Sequence, residues 1–228
     1  MADYLPFENF LRSVPRTTAP TEVVRRLETI AKPVRVARGA SVPLESSTDL
    51  FVFISGGATK LIASASGGRE QIVAFHFEND LVSIPADTWH SYGLSALAET
   101  SALVFPANEF LNIMQSEPAF CGILLERSLT ALHRCRDKAV GLGRKSAEER
   151  LASFFVGMAE RIGLANGGGC ELDLPMSRRD IGDSLGLTIE TISRQFGSLR
   201  EAGLIETVGR TRVNLFDIPQ IALRAGHI

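Results

Sequence analysis

Glu190, Ser193 and Arg194 stand at positions i, i+3 and i+4 of a stretch with helical periodicity, so their side chains share one face within two turns. Those three types can read base edges in a major groove. Arginine bonds bidentately to guanine, a carboxylate accepts from a cytosine amine, and serine adapts to either role. The hydroxyl of Thr188, just before them, suits an N-cap, which would start a helix whose free N–H groups point at a phosphate. The same residue types on a solvated helix face are commonplace. Their meaning therefore depends on the elements that hold them.

Those elements are legible on both sides. Ser177 with Asp180 three residues later resembles a capping box, and predicts a helix starting at Arg178 with Ile181 and Leu185 on its buried face. Gly186 stops that helix. A second helix follows from Thr188 to about Ala202, with Ile189, Ile192, Phe196 and Leu199 as its core-facing stripe and Gly203 at its end. Leu204–Val208 and Arg212–Phe216, joined through Gly209, Arg210 and Thr211, read as a two-stranded wing. Glu190, Ser193 and Arg194 are the candidate base readers. Ser177, Arg178, Arg179, Thr188, Thr191, Arg210 and Arg212 are the candidates for DNA backbone contacts. Overall charge does not announce a polyanion partner: the formal net charge is −2 and residues 145–228 carry 10 Lys+Arg against 11 Asp+Glu. Any phosphate attraction must come from local placement of arginines.

Upstream, Pro118 to about Gly143 reads as one long helix. Cys121, Leu125, Ser128, Leu132, Cys135, Ala139 and Leu142 recur at alternating spacings of four and three, the period that keeps one seam facing a partner helix. Self-association through that seam is expected. Before it, Pro6–Ser13 and Pro20–Lys32 are helical candidates. Short β-type runs then follow at Val34–Arg38, Leu50–Ser55, Thr59–Ala63, Glu70–Phe77, Leu81–Ile84 and Thr100–Phe105. Gly56-Gly57 and Gly67-Gly68 are placed for tight hairpin turns, so a small antiparallel barrel or sandwich is expected over residues 34–106. Ala147–Ile162 reads as a helix, and residues 165–169 as a loop.

No stretch reaches the roughly 18 apolar residues of a membrane span, and MADYLPFENF lacks the features of a signal peptide, so a cytoplasmic location is expected. The three cysteines, Cys121, Cys135 and Cys170, suggest neither a disulfide framework nor a zinc site. His76, Glu78 and His90 in the β-rich part invite a metal-enzyme reading, but no His-x-His pair occurs, and neither an enzyme nor a metal site is expected.

Residues 175–205, from Pro-Met-Ser-Arg-Arg-Asp-Ile-Gly through Glu190-x-x-Ser193-Arg194 to Gly203-Leu204-Ile205, closely resemble the helix-turn-helix of the CRP/FNR superfamily, with a triplet of the FNR/FixK type. The likeness extends loosely through Leu50–Gly56, Thr59–Ile62 and Gly68–Val73, and through the long helix. It implies an α+β chain: a cyclic-nucleotide-binding-type β-roll with N-terminal helices over residues 1–117, a dimerisation helix over 118–143 and a winged helix-turn-helix over 144–228. It further implies a homodimeric transcription regulator, in the main an activator, that binds double-stranded DNA at a palindrome of the TTGAT…ATCAA kind and recruits RNA polymerase.

The chain departs from the superfamily's ligand-binding patterns. Cyclic-AMP binders hold the phosphate with an arginine, yet residues 70–126 contain none, so no cyclic-nucleotide binding is expected. Oxygen-sensing members carry an N-terminal cysteine cluster, yet no cysteine precedes Cys121, so an iron–sulfur cluster is not expected either. The effector site remains unassigned. The competing readings are haem ligation by His76, His90 or His133, giving a gas sensor, and a small-molecule-binding β-barrel whose winged part does not read DNA.

Overall fold

The structure is a computed structural model that describes residues 5–13, 21–45, 47–65, 67–115 and 118–226. The chain divides into two compact units, Met1–Leu132 and His133–Ile228.

The first unit opens with helices α1 (Leu5–Arg12) and α2 (Thr21–Ile30). Strands β1 (Lys32–Val36), β2 (Leu50–Gly56), β3 (Ala58–Ala65), β4 (Arg69–Phe77), β5 (Leu81–Ile84), β6 (Ser91–Ala96) and β7 (Thr100–Pro106) follow, then helix α3 (Ala107–Gln115) and the start of α4 (Pro118–Arg144). The strands form an antiparallel four-stranded sheet, ordered β1-β7-β2-β5, and a three-stranded one, ordered β4-β3-β6. Strand β2 shows why two cores exist. Val52 and Ile54 face an aliphatic core with Leu61, Val82, Leu94 and Val104, whereas Phe53 on the opposite face belongs to a second core with Phe105 of β7 and with Phe10, Leu27 and Phe110 of the helical layer. Phe10 is the hub of that layer, with ring centroids 5.2 Å from Phe53 and 5.3 Å from Phe105.

Gly67 and Gly68 occur, as expected, in the connection of a hairpin, since β3 and β4 pair up to Ala65 opposite Arg69. The expectation for Gly56-Gly57 was wrong. Strand β2 is bordered by β5 and β7, leaving β3 no edge to pair with, so the chain turns a corner into the second sheet. Gly57 makes that corner at φ +87°, where a Cβ would strike the carbonyl of Glu99 and lie 2.7 Å from Oγ1 of Thr100. Strand β6 and helix α3 were not anticipated; β6 alternates Ser91, Gly93 and Ser95 with Tyr92, Leu94 and Ala96, but over only six residues and with no β-branched side chain.

The second unit holds the rest of α4, then α5 (Ala147–Ile162), β8 (Leu164–Asn166), β9 (Gly169–Asp173), α6 (Arg178–Leu185), α7 (Ile189–Glu201), β10 (Ile205–Val208), β11 (Arg212–Leu215) and α8 (Ile218–Arg224). Helix α5 starts on a reciprocal capping box. The Ser146 amide donates to Oε2 of Glu149 at 2.7 Å, the Glu149 amide donates back to Oγ of Ser146, and the first bond lowers the Glu149 pKa. The wing expected to be two-stranded belongs to a four-stranded sheet ordered β10-β11-β9-β8. Residues 165–169, expected as loop, are the tip of the β8–β9 hairpin, where Gly167 and Gly168 take positive φ.

Gly57→Ala should lower the thermal midpoint of the first unit by roughly 5–10 °C, because it adds backbone strain of about 1–3 kcal/mol to a steric clash. An unchanged midpoint in scanning calorimetry would contradict the tight corner.

Candidate nucleic-acid interface

Local capping builds the first helix of the pair. Oγ of Ser177 accepts from the Asp180 amide at 3.1 Å, and the Ser177 amide donates to Oδ2 of Asp180 at 2.9 Å, so α6 starts at Arg178 as expected. Gly186 ends it in the left-handed conformation at φ +64°. The chain then turns tightly, the Leu187 amide donating to the Gly182 carbonyl at 3.0 Å. Gly182 was not singled out in the sequence, yet a Cβ there would lie 2.7 Å from the Leu187 carbonyl oxygen. It permits the close approach of the two helices.

Helix α7 is capped by Thr188, whose Oγ1 accepts from the Thr191 amide at 3.2 Å. Ile192, Phe196 and Leu199 are buried, and the Phe196 ring meets Phe155 of α5 edge-on at 5.2 Å. The expected stripe begins one turn late: Ile189 is 42% exposed and is not a core residue. As the first helical residue it precedes the part of α7 that packs on α5, and burial starts with Ile192. Leu185, expected to be buried, is half-buried.

Glu190, Ser193 and Arg194 are all exposed. Nη2 of Arg194 donates to Oγ1 of half-buried Thr191 at 3.3 Å. The Glu190 pKa is lowered, first by its own backbone N–H, then by the Thr188 hydroxyl and by the positive charge of Arg179. The start of α7 thus offers a fixed acceptor, an adaptable hydroxyl and a guanidinium, each in contact with solvent. Arg178 lies with its guanidinium carbon 4.4 Å above the Phe196 ring centroid, a cation–π contact that orients it. It lines a shallow recess together with Thr207, Gly209, Arg210 and Arg212 of the wing. Arg178, Arg179, Arg210 and Arg212 are exposed, so four guanidiniums face solvent on a unit whose formal charge is close to zero.

The expected seam residues lie along α4. Leu125 is 61% exposed, Leu132 42% and Leu142 38%, and Ser128, Cys135 and Ala139 are exposed as well. Cys121 is half-buried and donates through Sγ to the Met114 carbonyl. Leu129 and Val140, outside the heptad seam, are also exposed. In the first unit, His76 is half-buried with Nδ1 3.8 Å from Oδ2 of Asp80, and His90 is exposed beside the fully exposed Trp89. Among the described residues no group of three His, Cys, Asp or Glu side chains could hold a metal ion.

Several cations of the second unit escaped sequence reasoning. Arg150 of α5 donates three hydrogen bonds to carbonyls: Nε to Lys145 at 2.9 Å, Nη1 to Leu185 at 3.1 Å and Nη2 to Leu142 at 2.9 Å. Nζ of Lys138 donates to Oγ of Ser184 at 3.0 Å, and burial pushes the lysine down to about 8. Nζ of Lys145 bridges Oγ of Ser153 and the Ala225 carbonyl, both at 2.7 Å. The one available signal was Ser184, a serine inside an otherwise apolar helix face.

Comparison with known proteins agrees with this geometry. Residues 149–223 match the model of the Crp-like helix-turn-helix domain. The nitrogen fixation regulation protein FixK of Bradyrhizobium diazoefficiens is 32% identical over 186 residues, which cover 81% of this chain and 78% of the relative. The transcriptional activator protein FnrL of Cereibacter sphaeroides is 31% identical over 182 residues, covering 78% of this chain and 73% of the relative. The solved structure of FixK2 from Bradyrhizobium japonicum superposes with a TM-score of 0.73 at 28% identity, over 85% of this chain and 96% of that one. An α+β chain with a β-roll, a long helix and a winged helix-turn-helix whose second helix turns its polar face outward therefore belongs to the CRP/FNR superfamily and is a DNA-binding transcription regulator.

Proposed function

We propose that this regulator works in the cytoplasm as a homodimer, joined along α4, and activates transcription by binding a TTGAT…ATCAA palindrome and recruiting RNA polymerase. The observation that carries this reading is the exposure of Glu190, Ser193 and Arg194 together at the start of α7, over a core made by Ile192, Phe196 and Phe155. Arg194 reads guanine, Glu190 a cytosine amine, and Ser193 the pair between them. Arg178, Arg179, Arg210 and Arg212, with Ser177, Thr188 and Thr191, hold the flanking phosphates. The activator reading is supported by the name of the Cereibacter relative.

The regulator works without cyclic nucleotide, iron–sulfur cluster or haem. Between Arg69 and Arg127 the sequence contains neither arginine nor lysine, so the β-roll offers an anionic ligand no charge-assisted hydrogen bond from that whole stretch. A colourless purified protein that binds its palindrome with nothing added supports this; a Soret band overturns it in favour of haem.

Two experiments test the reading. In fluorescence anisotropy, Arg194→Ala should weaken binding to a TTGAT-N4-ATCAA duplex by roughly 5- to 150-fold, the equivalent of about 1–3 kcal/mol for one base contact, and should leave binding to a scrambled duplex unchanged. Arg210→Ala should weaken both duplexes alike and reduce the slope of log K against log salt by about one. Equal weak binding of the wild type to both duplexes would overturn base reading. In sedimentation, the double variant Leu125→Glu, Leu132→Glu should be monomeric where the wild type is dimeric, and should lose the palindrome, because two carboxylates on the seam would have to be desolvated. A dimer that survives both substitutions would place the interface elsewhere.

A further inference from the structure

Lys138 and Arg150 have no place in base reading, yet both grip the C-terminal end of α6. Leu185 is the last residue of α6, and its carbonyl belongs to the negative pole of that helix. Leu142 and Lys145 lie at the end of α4 and just beyond it, where carbonyls are likewise left without intrahelical partners. One guanidinium donates to all three. It neutralises two negative helix poles that would otherwise repel each other. The fit is close on the neighbouring residue too: a Cβ on Gly186 would lie 3.4 Å from Cδ2 of Leu142 and 3.7 Å from Nη1 of Arg150.

The second grip comes from α4 itself. Lys138 reaches Ser184, the penultimate residue of α6, which is only 5% exposed. An ammonium in such a place costs desolvation, which a lysine on a surface helix ordinarily avoids. From α6 onward the path to the DNA is stiff. The Leu187-to-Gly182 hydrogen bond and the absent side chain of Gly182 lock the turn, and Thr188 starts α7 directly after it.

We propose that Lys138 and Arg150 are positioning residues that fix α7 relative to the last turns of α4, and thereby set the half-site spacing that the dimer accepts. The inference rests on the reading of this protein as a homodimer with α7 in the major groove. In such a dimer α4 is the common reference for both reading helices. One extra base pair between half-sites shifts one groove by about 3.4 Å and rotates it by about a tenth of a turn. A clamped α6 cannot follow that change; a released one can.

The test is anisotropy binding to TTGAT-Nn-ATCAA duplexes with n from 3 to 6, with wild type, Lys138→Met, Ser184→Ala and Arg150→Lys. Methionine keeps the packing stem but no donor, and lysine cannot reproduce the three-way fan of the guanidinium. The wild type should prefer one spacer over its neighbours by roughly tenfold or more, and the variants should reduce that ratio to about threefold or less, a coupling change of ordinary size. A role in stability alone would lower affinity for every spacer equally and leave the ratio intact, which overturns the proposal. So does a wild type indifferent to spacing. Should Arg150→Lys lower the unfolding transition, Ser184→Ala removes one hydroxyl only and its ratio decides. A folded, dimeric wild type that binds none of the duplexes refutes the DNA-reading assignment instead, and this inference falls with it.

Discussion

A helix can present to DNA only the face it does not bury, and in α7 the buried face is set by the contact of Phe196 with Phe155. With Ile192 and Leu199 it makes a stripe along one side of the helix, and the 3.6-residue period then leaves Glu190, Ser193 and Arg194 no direction but outward. The rest of the second unit serves that contact. Helix α5 is started by a capping box so that its apolar side can receive α7, and α6 is short, capped at both ends and turned at Gly186 so that α7 departs at a fixed angle. Phe196 has a second use. Its other neighbour is the guanidinium of Arg178, so the core ring that orients the reading helix also orients a candidate phosphate contact.

Charge in this domain works by placement. A winged domain with nearly balanced charge gains little from its overall field. Some acidic side chains are tied up in capping, as at Glu149 and Asp180, while Arg178 and Arg179 of α6 and Arg210 and Arg212 of the wing stay exposed.

How much of this is legible in the sequence depends on how far apart the interacting residues lie. The capping box at Ser177, the N-cap at Thr188 and the left-handed glycines are written within four residues, and their positions follow from side-chain chemistry alone. The corner at Gly57 does not, because a Gly-Gly pair serves a hairpin and a change of sheet equally, and only the occupied edges of β2 decide between them. The exposure of Ile189 is hidden too, because the apolar period includes it while burial in the structure starts at Ile192. Lys138 and Arg150 are the extreme case. Their partners on α6 are 46 and 35 residues away, so in the sequence they are two more cations on helices.

The first unit raises a different question: what a sensor-type fold does when the stretch between Arg69 and Arg127 offers neither arginine nor lysine. On the function proposed above, no anionic effector is bound, so DNA occupancy is set by how much dimer exists. Leu125, Leu132, Leu142 and Val140 expose apolar surface on one helix, and burying it against a second copy yields free energy only in proportion to the area removed from water. Under mass action the dimer population then rises with the square of monomer concentration, and a palindrome that accepts only the dimer responds steeply to the amount of regulator. On that reading, synthesis of the protein would set DNA occupancy where a bound effector does so in a ligand-gated regulator.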